Sequence, residues 1–116
     1  MSEVRQKRVE SLIQELIAQL INRKRIKDPR VQPLSVVTRV SASKDLKYAK
    51  VYISFYGDPA LRRECVAALN HAAGFVQKEL GGGLRLRFVP KLTFIEDPSI
   101  EQGFRIMQKL RELSPE

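Results

Sequence analysis

The strongest constraint on this chain is an apolar, helix-patterned run from Leu61 to Leu80 that is interrupted at its middle by Ala72-Ala73-Gly74. Glycine inside a helix costs roughly 0.5–1 kcal/mol relative to alanine. A helix that carries one there either bends or leaves room for a neighbour against its backbone. Leu61, Cys65, Leu69 and Ala72 form one stripe, with Val66, Ala73 and Val76 beside it. Asp58-Pro59 places an N-cap residue before a proline at the first helical position. The helix then reaches the triplet, and a shorter piece continues from Phe75 to Leu80 until Gly81-Gly82-Gly83 stops it.

The flanking segments supply the rest of a fold. Val4, Val9, Leu12, Ile13, Leu16, Ile17, Leu20 and Ile21 recur at three and four residue spacing, which predicts an amphipathic helix over about 3–25, ended by Asp28-Pro29. Leu34, Val36, Thr38 and Val40 alternate along one strand, and Ala49, Val51, Ile53 and Phe55 along the next. Ser43-Lys44-Asp45 joins them as a hairpin loop. The opposite faces carry Arg39, Ser41, Tyr48, Lys50, Tyr52 and Ser54; such a face can stack bases, although tyrosine is also simply a good β-former. Leu84, Leu86, Phe88, Leu92 and Phe94 alternate through a third strand, which Pro90 confines to an edge or a bulge. Asp97-Pro98 opens a last helix bearing Ile100, Phe104, Met107 and Leu110, in which Gly103 suggests close packing.

Charge narrows the function classes. Among 116 residues, 21 are lysine or arginine and 13 are acidic, a net charge of +8. Residues 1–95 carry +10 and residues 96–116 carry −2, so a polyanionic partner is expected on the body of the chain and away from its last segment. Arg23, Lys24, Arg25 and Lys27, followed by Arg30, exceed what a helix C-terminal dipole calls for and read as a phosphate-contacting patch. No run approaches the roughly 20 apolar residues that span a bilayer. The first helix, rich in Leu and Ile without Trp or Phe, reads as a core helix rather than a membrane-surface element. The single cysteine, Cys65, forms no intrachain disulfide and fits a reducing compartment, so a cytoplasmic protein of one domain, residues 1–116, is expected.

Catalysis finds little support. His71 is the only histidine and sits on a helix, no set of Cys and His suits zinc, and the three glycines lack the context of a phosphate loop. Glu96-Asp97 is the one adjacent carboxylate pair, and Asp97 is accounted for by capping. The expectation is a protein that is not an enzyme and uses no metal or cofactor.

The element order (helix, strand, strand, helix, kink, short helix, strand) is that of the type II KH domain with one helix added. It describes an α+β fold with a three-stranded sheet and helices packed on one face. KH domains carry a Gly-x-x-Gly loop between the middle helices; here Ala72-x-Gly74 stands in its place. Together with Asp28-Pro29-Arg30, the Ser43-Lys44-Asp45-Leu46 turn leading to Ala49-x-Val51-Tyr52, Ala72-Ala73-Gly74-Phe75-Val76 and Leu84-Arg85-x-x-x-Val89-Pro90-x-Leu92-x-Phe94, this closely resembles the ribosome-binding factor A family of bacteria over nearly the whole chain.

The resemblance implies a non-catalytic factor that binds the free 30S subunit late in assembly, and a monomer is the simplest reading of the chain. It would support maturation of 16S rRNA including its 5′ end, and serve cold adaptation. The basic residues expected to face rRNA are Arg5, Arg8, Arg23, Lys24, Arg25, Lys27, Arg30, Arg39, Lys44, Lys47, Lys50, Arg85 and Arg87, with the surface that holds backbone built from the end of the first helix and the exposed strand edges, and Arg5 and Arg8 lying at the helix's start. Ala72, Ala73 and Gly74 would form the kink that replaces the clamping loop. The alternative is a general single-stranded nucleic-acid binder without a ribosomal target, which predicts equal affinity for oligonucleotides and subunits.

Overall fold

The computed structural model describes residues 2–32, 34–55, 57–84, 86 and 88–113, and within them every side chain but those of Ser2 and Glu101. The elements are α1 (Ser2–Asn22), β1 (Val36–Ala42), β2 (Tyr48–Ser54), α2 (Pro59–His71), α3 (Ala73–Gly81), β3 (Lys91–Glu96) and α4 (Ser99–Leu113). β1 and β2 pair antiparallel and β3 joins β2 in parallel, giving the order β1-β2-β3. A parallel neighbour needs a crossover, and the α2–α3 pair provides it.

One face of the sheet is the core. Val9, Ile13, Ile17 and Ile21, four residues apart on α1, are buried with Val37, Val40, Val51, Ile53, Leu92 and Phe94 of the sheet and Cys65, Leu69, Val76 and Leu80 of the crossover. Each large side chain buried there contributes about 1.5–3 kcal/mol. Asp58 caps α2 by accepting from the Ala60 N–H at 2.8 Å, with Pro59 at the first position as expected. Gly83 lies close against α1: a Cβ there would stand 2.9 Å from Leu16 Cδ1, so the leucine side chain would have to shift.

Both outer edges of the sheet are occupied by side chains from the helices. On β1, Gln6 donates to the Ala42 carbonyl, Glu10 accepts from the Ala42 N–H, and Gln14 donates to the Val37 carbonyl. On β3, Asn70 and Gln77 bond the backbone of Phe94 and Leu92. Edges closed in this way cannot template another strand.

Several expectations need correction. Strand alternation placed Leu34, Val36, Thr38 and Val40 together, but Val37, Val40 and Ala42 point inward while Leu34, 85 % exposed, and Val36 point out. The cause is a β-bulge: Val37 pairs with Ile53 and Arg39 with Tyr52, which leaves Thr38 as the extra residue that shifts the phase. Ser54, expected on the polar face, is buried, and its hydroxyl has no partner among the described residues. The third strand begins only at Lys91, since the Leu84 N–H still bonds the Leu80 carbonyl of α3 and Pro90 has no N–H to offer. Leu84 and Pro90 are nonetheless buried, and Phe88 is exposed. α1 ends at Asn22 rather than near 25.

The largest departure is α4. It begins as expected, with the Ser99 N–H bonded to Asp97 at 2.9 Å. Its apolar stripe, however, makes no extensive contact with any other described helix or strand. Ile106, Met107, Leu110 and Leu113 are exposed, and a Cβ on Gly103 would meet nothing within 4 Å, so the close packing expected there is absent. The radius of gyration is accordingly 16.0 Å, against about 13 Å for a compact chain of this length.

Candidate nucleic-acid interface

The turn after α1 is built by a Schellman motif. The Arg25 N–H bonds the Leu20 carbonyl at 3.0 Å and the Lys24 N–H bonds the Ile21 carbonyl at 3.1 Å. That geometry sets Lys24 in the left-handed region, at φ 54°, a position glycine usually fills. Ile26 is buried beneath the turn, and the neighbouring cations stay at the surface.

Two of those cations are already paired. Arg25 bonds Glu79 of α3 at 2.9 Å, and Arg30 grips Asp28 through two guanidinium nitrogens at 2.8 and 3.1 Å. The Arg30 side chain, and then its backbone N–H, lower the Asp28 carboxyl to about 2. Arg23, Lys24 and Lys27 have no acidic partner among the described residues, and all three are exposed. Lys24 and Lys27 flank a shallow groove with Ile21, Ile26 and Pro29. His71 and Glu64 of α2 lie within electrostatic reach of Asp28 and Arg30, so this turn sits beside the α2–α3 junction.

The remaining predicted residues do not form one patch with it. Arg5 and Arg8 are exposed near the start of α1, which at 1.5 Å per residue puts Arg5 about 28 Å from Lys24. The Gln6 bond to Ala42 brings that end of α1 to the β1–β2 loop, where Lys44 and Lys47 are exposed. The loop is ordered by Asp45, which accepts from the Ser43 hydroxyl at 2.7 Å and the Lys47 N–H at 3.1 Å; the hydroxyl first, then that N–H, lower its pKa. Arg39 and Lys50 belong to a third region, the open face of the sheet. Arg85 and Arg87 lie outside the described residues. The strand edges, expected to help hold backbone, are filled by the glutamine, glutamate and asparagine side chains described above.

At the junction, α2 ends at His71, Ala72 adopts φ −91° and ψ 8°, and α3 starts at Ala73. The Ala72 N–H is bonded to Ala68 and Leu69, and its carbonyl accepts from Val76. The chain therefore turns without an intervening loop. Gly74 has no positive φ, and a Cβ on it would meet nothing within 4 Å. Neither a left-handed backbone nor a close neighbour explains this glycine.

Two residues lie outside the set expected at the site. Arg62 is 3 % exposed and bonds Glu96 of β3 at 2.7 Å, tying α2 to the sheet. Its place three, four and seven residues before Cys65, Val66 and Leu69 was the available signal, since it falls on the core stripe. Lys91 is exposed at the start of β3, opposite Tyr48, and adds a cation to the open face. Glu96 and Asp97 are both engaged structurally, Asp97 accepting from the Thr38 hydroxyl as well as from Ser99. Among the described residues, no group of three His, Cys, Asp or Glu side chains could hold a metal ion, and no helix is long and apolar enough to cross a membrane.

Comparison with known proteins agrees with this architecture. Residues 5–110 match the family described as ribosome-binding factor A. A ribosome-binding factor A of Dictyoglomus thermophilum is 46 % identical over 112 residues, 97 % of this chain and 92 % of the relative. That of Trichormus variabilis is 47 % identical over 108 residues, 91 % of this chain and 80 % of the relative. Among solved structures, a putative ribosome-binding factor A of Thermotoga maritima superposes with a TM-score of 0.71 at 39 % identity, covering 80 % of this chain and 87 % of its own. A Thermus thermophilus homology model fitted into the cryo-EM map of a 30S complex gives 0.64 at 25 % identity, covering 78 % and 93 %.

Proposed function

Because the chain belongs to the ribosome-binding factor A family, we propose that it binds the free 30S ribosomal subunit through 16S rRNA and supports late maturation of that RNA, including its 5′ end. It acts by binding rather than catalysis, as a monomer in the cytoplasm, and its contribution is greatest in the cold, where misfolded rRNA helices escape slowly. The observation that carries the reading is the turn after α1, where Arg23, Lys24 and Lys27 remain unneutralised while neighbouring cations are paired. Three such cations on one turn suit a phosphate backbone, and counterion release supplies most of the affinity. A general single-strand binder would use the same charges but would not favour the subunit.

Co-sedimentation with isolated small subunits tests this. Lys24→Glu with Lys27→Glu should weaken association, and the wild-type protein should release steeply as salt rises. Arg25 is a poorer choice, since its replacement also breaks the pair with Glu79. Association that is indifferent to both charge reversal and salt overturns the electrostatic reading, and equal affinity for unstructured oligonucleotides overturns the ribosomal one.

A further inference from the structure

The open face of the sheet carries a second kind of chemistry. Tyr48, 59 % exposed, Lys50 and Tyr52 alternate along β2, spanning about 13 Å. Arg39 of β1 lies over the Tyr52 ring, its guanidinium carbon 4.2 Å from the centroid. Such a contact holds the guanidinium in place above the ring. Lys91 and Thr93 stand beside Tyr48 and Lys50 on β3. A groove runs among Ser41, Ser43, Tyr48, Lys50 and Thr93. None of the outward-facing strand residues is acidic, and none of the described helices covers them.

We infer that this face is a separate RNA site that takes a short unpaired stretch, with a base stacked on Tyr48 and the flanking phosphates on Lys50, Lys91 and Arg39. The charge of the face matches a polyanion. Tyr48 offers an open ring beside these cations, which suits an unstacked base that paired RNA does not offer. The bulge at Thr38 is what turns Arg39 outward to join it. The site rests on the reading of the chain as an RNA-binding factor, but it is distinct from the α1 turn, which would hold backbone without regard to pairing.

The test uses a labelled, unstructured RNA decamer and an RNA duplex of the same length, titrated with the full chain at low salt. The decamer should bind more tightly than the duplex, and Tyr48→Ala should weaken it tenfold or more. Tyr48→Phe should keep the affinity, whereas Lys109→Ala on α4 should change nothing. The chain has no tryptophan, so its emission comes from its three tyrosines. Decamer binding should quench part of that emission in the wild type, and less of it in Tyr48→Phe. Undetectable decamer binding, or Tyr48→Ala binding it as the wild type does, overturns the site. Loss of subunit association in Tyr48→Ala with unchanged decamer binding also overturns it, pointing instead to a protein partner. The site fails independently of the α1 turn, which is read by Lys24→Glu and Lys27→Glu on subunits.

Discussion

Asn70 holds both backbone groups of Phe94, its Nδ2 donating to the carbonyl at 3.0 Å and its Oδ1 accepting from the N–H at 2.8 Å. One side-chain amide on α2 thus does for the edge strand what a fourth strand would otherwise do. Asn70→Ala leaves a donor and an acceptor of a nearly buried strand residue without partners. The expected loss is about 1–3 kcal/mol in urea unfolding, together with faster exchange of the Phe94 amide proton. Unchanged stability and exchange would show that water replaces the amide without penalty.

Gly74→Ala should stabilise the protein by roughly 0.4–1 kcal/mol, because the backbone there is helical and the added methyl meets open space. A higher melting temperature with subunit association intact is the expected pair of results. Destabilisation would mean the junction needs a flexibility that its geometry does not display.

Lys24 presents the opposite case. Its left-handed backbone costs an L-residue about 1 kcal/mol that glycine avoids. Lys24→Gly should therefore gain up to about 0.5 kcal/mol in stability, because the entropy of an added glycine offsets roughly 0.5–1 kcal/mol of that relief, while weakening subunit association. A variant that is both more stable and equally tight-binding would remove Lys24 from the interface.

Acid should loosen the start of α4. The Thr38 hydroxyl, and then the Ser99 N–H, hold the Asp97 carboxyl below its usual value of 3.8 against the opposing effect of burial. A carboxyl that binds its proton more weakly when folded favours the folded state fully above the unfolded value near 3.9. That contribution fades as the pH falls through the lower, folded value. Carboxyl titration by NMR should show Asp97 below the ordinary range and Asp28 near 2. The Ser99 amide should lose protection in the same acid window, and a pH-independent Ser99 signal would contradict the capping role.

Removing residues 101–116 should leave the rest of the domain folded, since α4 shares almost no packing with it. The melting temperature should move by only a few degrees, and scattering should give a radius of gyration near 13 Å in place of 16.0 Å. Collapse of the fold would show that the helix is held more firmly than its exposure suggests.

Much of this architecture was legible because it is written locally. The α1 stripe, the hairpin loop at Ser43-Lys44-Asp45, the capping aspartates at 58 and 97, and the break at Ala72 each depend on neighbours within a few residues. What escaped depends on partners far along the chain. The bulge at Thr38 exists because β1 must match β2, and alternation read from β1 alone misses it. Arg62 is tolerated in the core because Glu96, 34 residues later, meets it. The basic residues were countable in the sequence, but their division among three regions follows from a 21-residue helix that separates Arg5 from Lys24. Pairing with Asp28 and Glu79 then withdraws two of them, Arg30 and Arg25.

The extra residue in β1 has one more effect. Thr38, left without a strand partner, spends its hydroxyl on Asp97, the same carboxylate that starts α4, while the Asp97 N–H bonds the Ile53 carbonyl of β2. The root of the projecting helix is thereby anchored to two strands at once. Its bearing is referenced to the sheet, so the direction in which α4 projects is set relative to the Tyr48 face.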